Sequence, residues 1–125
     1  MPDTSWIAVD AMGGDEGLAV MLAGVAAARR RFEGMRFFLV GDEAKVAEGL
    51  KAHPNLAHAS EIVHAPETVG SSDKPSQAIR RSKTTSMGIA IDLVKQGRAG
   101  AAVSSGNTGA LMAMAKLALR TLPGI

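Results

Sequence analysis

Cysteine and tyrosine are absent from the 125 residues, and the aromatic side chains amount to one Trp and three Phe. Without thiols there is no disulfide, no thiolate nucleophile and no zinc–thiolate cage, a composition that suits a reducing, cytoplasmic compartment. Charge of one sign is also scarce. Fourteen Lys and Arg against twelve Asp and Glu leave a formal +2, too little for the dense basic face of a nucleic-acid binder, so no nucleic acid is expected. No apolar run approaches the ~20 residues of a membrane-spanning helix. The opening MPDTSWIAVDAMGGD has an acid ahead of its first apolar run and a Gly-rich turn after it, unlike a secretory signal.

What is there is aliphatic. Ala, Val, Leu, Ile and Met supply most of the 46% apolar content, a palette that suits helices packed on a parallel sheet. Trp6 to Val9 reads as a buried strand ending at Asp10, followed by a loop from Ala11 to Gly17. Leu18, Met21, Leu22, Val25 and Ala28 give the stripe of an amphipathic helix that ends on Arg29, Arg30 and Arg31, where cations suit the negative end of the dipole. Phe37 to Val40 is a second strand, and Asp42 an N-cap for a helix carrying Val46 and Leu50. Pro54 and Asn55 mark its exit, and Glu61 to His64 is a third strand. Pro75 opens one further helix, with Met87, Ala90, Ile91 and Val94 as its stripe. Ala101 to Val103 is a fourth strand, and Ala110 to Leu119 a helix apolar almost all round and therefore expected to be buried.

Strands alternating with helices predict an α/β fold of right-handed βαβ units, a parallel sheet with helices on both faces. Residues 1–125 form one domain without repeats. The sequence ends just after an apolar helix with no further strand to cover it, so the fold is expected to be incomplete at its carboxyl end.

In such sheets ligands gather at the carboxyl ends of the strands. Two loops have that position. In VSSGNTGA, Val103 to Ala110, Gly106 and Gly109 let backbone N–H groups approach an anion, Ser104, Ser105, Asn107 and Thr108 add side-chain donors, and the following helix adds its positive dipole end. The plainer alternative is a helix cap with a tight turn. The run is neither a Walker loop, since no Lys follows the second glycine, nor the GxGxxG of a dinucleotide site. In AMGGDEG, Gly13 and Gly14 stand between Asp10 and Asp15. Those carboxylates suit orienting loop N–H groups, pairing with a cation or holding a metal, or a simple turn with Asp15 as helix cap; with no third ligand no metal is assigned. SSDKPSQAIRRSKTTSM, Ser71 to Met87, groups Lys74, Arg80, Arg81 and Lys83 beside hydroxyls, either an anion clamp or a solvated face. His53, His58 and His64 have no ligand spacing and read as surface or packing residues.

IAVDAMGGD at Ile7 to Asp15, SDKPSQAIRRSKTTSM at Ser72 to Met87 and VSSGNTGALMAMA at Val103 to Ala115 together resemble, in colinear order, the phosphate acyltransferase (PlsX) family of bacterial phospholipid synthesis. The resemblance implies an α/β fold similar to isopropylmalate dehydrogenases and phosphotransacetylases, and a homodimer. It implies transfer of a fatty acyl group from acyl carrier protein to inorganic phosphate, without a cofactor. Family chains continue well past Ile125, through more sheet, dimer surface and the region associated with peripheral membrane contact, so this sequence corresponds to the amino-terminal part and alone is expected to be inactive. It departs from the family where Gly17 and Leu18 replace a common proline, and where Ser105 replaces a common alanine.

The chemistry needs phosphate to be held, the acyl donor oriented and an oxyanion stabilised, with no covalent enzyme nucleophile. Ser105, Gly106, Asn107, Thr108 and Gly109 are the expected phosphate or oxyanion holders, with Lys74 or Lys83 balancing charge and Asp10, Gly13, Gly14 and Asp15 shaping the first loop. No residue is singled out as the catalytic base. Arg29 to Arg31, or Arg80 and Arg81, are candidate docking charges for an acidic carrier protein. The rivals are a phosphotransacetylase using coenzyme A thioesters, a noncatalytic phosphate-binding domain and, last, a dehydrogenase of similar fold.

Overall fold

A computed structural model describes residues 5–12, 17–70, 72–104, 106 and 108–119. Their order is β1 (Trp6–Asp10), α1 (Gly17–Arg31), β2 (Arg36–Gly41), α2 (Glu43–Leu50), α3 (Pro54–His58), β3 (Ser60–His64), α4 (Pro75–Arg80), α5 (Ser86–Lys95), β4 (Ala101–Ser104) and α6 (Thr108–Leu119). The strands form one sheet in the order β3-β2-β1-β4, and each neighbouring pair is parallel. This is the expected α/β architecture. Continuous apolar strands such as Phe37 to Val40, buried throughout, are what a sheet covered on both faces requires.

The two faces have separate cores. Val9, Phe37 and Leu39 meet Leu22, Val25 and Ala26 of α1, Val46 and Leu50 of α2 and Leu56 of α3. Ala8, Phe38 and Val40 point the other way, against Ala90 and Leu93 of α5. Alternation along each strand divides its side chains between these layers. Asp42 caps α2 as expected, its side chain accepting from Lys45 N at 3.1 Å. His64 has a related role, its Nδ1 accepting from Glu43 N at 3.1 Å.

Three expectations change. The exit at Pro54 is itself a short helix, α3, with proline in its first turn. The helix opened by Pro75 is two helices, because residues 81–85 turn the chain and Thr85 begins α5 as an N-cap, accepting from Gly88 N at 3.2 Å. The turn lies so close to α5 that a Cβ on Gly88 would sit 1.9 Å from the Ser82 carbonyl oxygen. Finally, α6 is not buried all round. Ala110 and Met114 pack into a third cluster with Ala78, Met87 and Ile91, while Met112 is 69% exposed.

Among the described residues, coverage of β4 is one-sided. Ala102 joins the α5 layer, but Ala101 is exposed and Val103 is 48% exposed on the other side. There an apolar trough of about 490 Å³ runs between α1 and the sheet, lined by Ile7, Val9, Val20, Met21 and Val103 among others.

Candidate functional site

The connections from β1 and β4 leave by opposite faces. α1 packs in the Val9 layer, whereas α6 packs on α4 and α5. Neighbouring strands whose helices diverge in this way open a crevice beyond their carboxyl ends. Asp10 and Ser104 end the two strands and are partners in register.

Asp10 is 1% exposed, and a buried carboxylate is tolerable only with donors around it. Ser86 Oγ donates to Oδ1 at 2.6 Å, Ser104 Oγ donates to Oδ2 at 2.8 Å, and Met12 N donates to Oδ1 at 3.2 Å. Ser104 Oγ in turn accepts from Gly106 N at 3.1 Å. The carboxylate thus joins the end of β1, the first turn of α5 and the turn after β4. Ser86 is fully buried, and its backbone N donates to the Glu67 carbonyl at 2.9 Å, which ties in the loop after β3.

A second polar cluster continues from Glu67. Arg81 donates to Glu67 Oε2 at 3.0 Å and to Asp73 Oδ2 at 2.8 Å. Thr84 Oγ1 lies 3.1 Å from Glu67 Oε1, and Gly70 N donates to Asp73 Oδ2 at 2.8 Å. The Gly70 N–H, followed by the Arg81 guanidinium, holds the Asp73 carboxyl below its ordinary range against partial desolvation. The bond to Glu67, then that to Asp73, raises Arg81.

The structure therefore brings Asp10 and Gly106 together at the crevice. Ser105, Asn107, Gly13, Gly14 and Asp15 lie outside the described residues. Gly109 is exposed in the first turn of α6, which begins at Thr108. Lys74 is exposed at the N-cap of α4. Lys83 instead lines a separate cleft of about 390 Å³ between α4, α5 and α6, with Ile79, Asp92, Lys95 and Met114. Among the proposed docking charges, Arg81 is engaged in two ion pairs. Arg29 to Arg31 end α1, and β2 then starts at Arg36, so these arginines lie at the amino ends of the strands, opposite the crevice. Among the described residues no group of three metal-ligating side chains occurs, and no helix is long and apolar enough to cross a membrane.

Sequence reasoning missed Ser86 and Glu67, and read Ser104 only as one hydroxyl of the turn. Asp10 is separated from Ser86 by 76 positions and from Ser104 by 94, so no local spacing announces the group. The available signal was the sheet order, which places the ends of β1 and β4 side by side.

Phosphate acyltransferases from three bacteria are similar to the chain. That of Erythrobacter litoralis is 62% identical over 119 residues, covering 95% of this chain and 34% of the relative. That of Bradyrhizobium diazoefficiens is 57% identical over 120 residues, covering 95% and 34%. That of Rhodopseudomonas palustris is 53% identical over 126 residues, covering 100% and 36%. The chain thus spans about a third of the length of the curated relatives it matches. A family model described as "Fatty acid synthesis protein" matches residues 6–125, and with nearly every residue inside that match the chain belongs to the fatty acid synthesis protein family, as a homologue of phosphate acyltransferases.

Proposed function

We propose that the chain is the amino-terminal third of an enzyme that transfers a fatty acyl group from acyl carrier protein to inorganic phosphate, releasing acyl phosphate for phospholipid synthesis. The observation that carries this reading is the 62% identity across 95% of the chain to a phosphate acyltransferase. The switch-point crevice is the physical support, because a glycine turn leading into a helix supplies N–H groups and a dipole to an anion.

In this reading the backbone of Gly106 and Gly109, with Ser105, Asn107 and Thr108, holds phosphate and the oxyanion. A phosphate oxygen adds to the thioester carbonyl to give a tetrahedral oxyanion, which collapses with cleavage of the C–S bond, and the carrier thiolate leaves and takes up a proton from solvent. Lys74, exposed at the head of α4, or Lys83, which lines the cleft between α4, α5 and α6, balances charge. The candidate docking charges for an acidic carrier protein are Arg29 to Arg31, a strand length from the crevice, or Arg80 and Arg81, of which Arg81 is already held in two ion pairs. The complete enzyme acts as a cytoplasmic homodimer with peripheral membrane contact outside these residues.

The test is release of acyl phosphate from acyl carrier protein by the chain extended to the length of its relatives. Asn107→Ala is expected to lower that rate at least about tenfold; unchanged kinetics would remove the turn from the reaction. Faster turnover of coenzyme A thioesters would favour a phosphotransacetylase, and phosphate binding without turnover a noncatalytic domain.

A further inference from the structure

We infer that Asp10 is a positioning residue that does not touch substrate: through the Ser104 hydroxyl it fixes the Gly106 N–H, and through Ser86 it locks the turn after β4 to α5. The phosphate role of that turn rests on the function proposed above, whereas the positioning itself does not.

Ser104 Oγ has one hydrogen, and Asp10 Oδ2 takes it at 2.8 Å. With that hydrogen committed, the oxygen meets Gly106 N as an acceptor, at 3.1 Å. An ionised carboxylate only accepts, so it makes this orientation the single satisfying one. Ser86 Oγ is held in the same way by Oδ1 at 2.6 Å, and the α5 amino terminus is thereby tied to the same carboxylate. Both serines reach Asp10 from elements that flank the crevice, and Asp10 itself is 1% exposed. A buried carboxylate beside two committed hydroxyls is not presented to an incoming phosphate, and its charge would repel one. Its contribution is preorganisation, keeping a backbone donor aimed before the ligand arrives.

Asp10→Asn replaces one acceptor by a donor and leaves one serine hydroxyl without its acceptor. Ser104→Ala removes the relay and leaves Asp10 in place. The experiment measures the hydrogen-exchange rate of the Gly106 amide, together with kcat and the KM for inorganic phosphate, in each single variant, the double variant and Ser104→Thr. Each single variant is expected to speed Gly106 exchange about tenfold and to raise the phosphate KM about tenfold, with kcat falling less than KM rises. The double variant should be no worse than the worse single one, and Ser104→Thr should restore both readouts. Additive losses, a fall in kcat at constant KM, or unchanged Gly106 exchange would each overturn the inference. Should Asp10→Asn fail to fold, Ser104→Ala against Ser104→Thr carries the same test, and equal Gly106 exchange in those two overturns it. If the wild-type enzyme forms no acyl phosphate, the functional reading fails while Gly106 exchange still decides the positioning role.

Discussion

Two carboxylate clusters hold the loops at the carboxyl end of the sheet, and they differ in depth. Asp10 is 1% exposed and is met by hydroxyl and backbone donors. Arg81 pairs with Glu67 and Asp73 at side-chain exposures of 37%, 42% and 34%. In the first, desolvation makes every lost hydrogen bond costly; in the second, water can replace a lost partner and salt can screen the charges. The inner cluster should therefore determine whether the end of the sheet is built, and the outer one how firmly the 67–73 loop is held against it.

The largest effect is expected from Asp10→Leu, which strips acceptors from two serine hydroxyls and a backbone N–H at once. Equilibrium denaturation should show a loss of about 4 kcal/mol; a loss within ~1 kcal/mol would mean the inner cluster is no more costly to break than an exposed one. Next comes Gly88→Ala, at the joint between the clusters. Its methyl would meet the Ser82 carbonyl oxygen at 1.9 Å, so the 81–85 turn must move, with an expected loss of about 2 kcal/mol and accelerated exchange at the Ser86 amide. An unaltered melting transition would show that the two clusters are not joined there.

The smallest effect belongs to acid and salt. Asp73, held below its ordinary range by Gly70 N–H and Arg81, stabilises the folded loop fully above the usual aspartate range near ~3.9. That contribution fades as pH falls through the lower folded value. Gly70 amide protection should thus be constant from neutral pH down to about 4 and decline below it, and high salt should weaken it while leaving Gly106 protection intact. Equal sensitivity of both amides would erase the distinction between the clusters.

Much of this arrangement was legible along the chain, for local reasons. Trp6 to Val9, Phe37 to Val40 and Ala101 to Val103 are apolar runs bounded by turns, and Asp42 stands where an N-cap must stand. The turn after β4 was likewise recognisable from its glycines. What escaped depends on tertiary contact. The break at residues 81–85 is made by Thr85 capping α5 and by the bare Cα of Gly88, and periodicity runs on through both. The exposure of Met112 follows from which side of α6 meets α4 and α5, which hydrophobicity alone does not specify. Ser86 became visible only when the chain had brought it back to Asp10.

Among the described residues β4 is the last strand of the sheet, paired along one edge with β1. Because α6 already lies on the α5 face, a right-handed crossover would deliver a further strand alongside β4, beyond Val103. Length added there leaves the inner pairings of β1, β2 and β3 as they are. The Asp10 cluster stands at the seam between β1 and β4, so a strand added on the far edge of β4 would leave its bonds to Ser86 and Ser104 as they are.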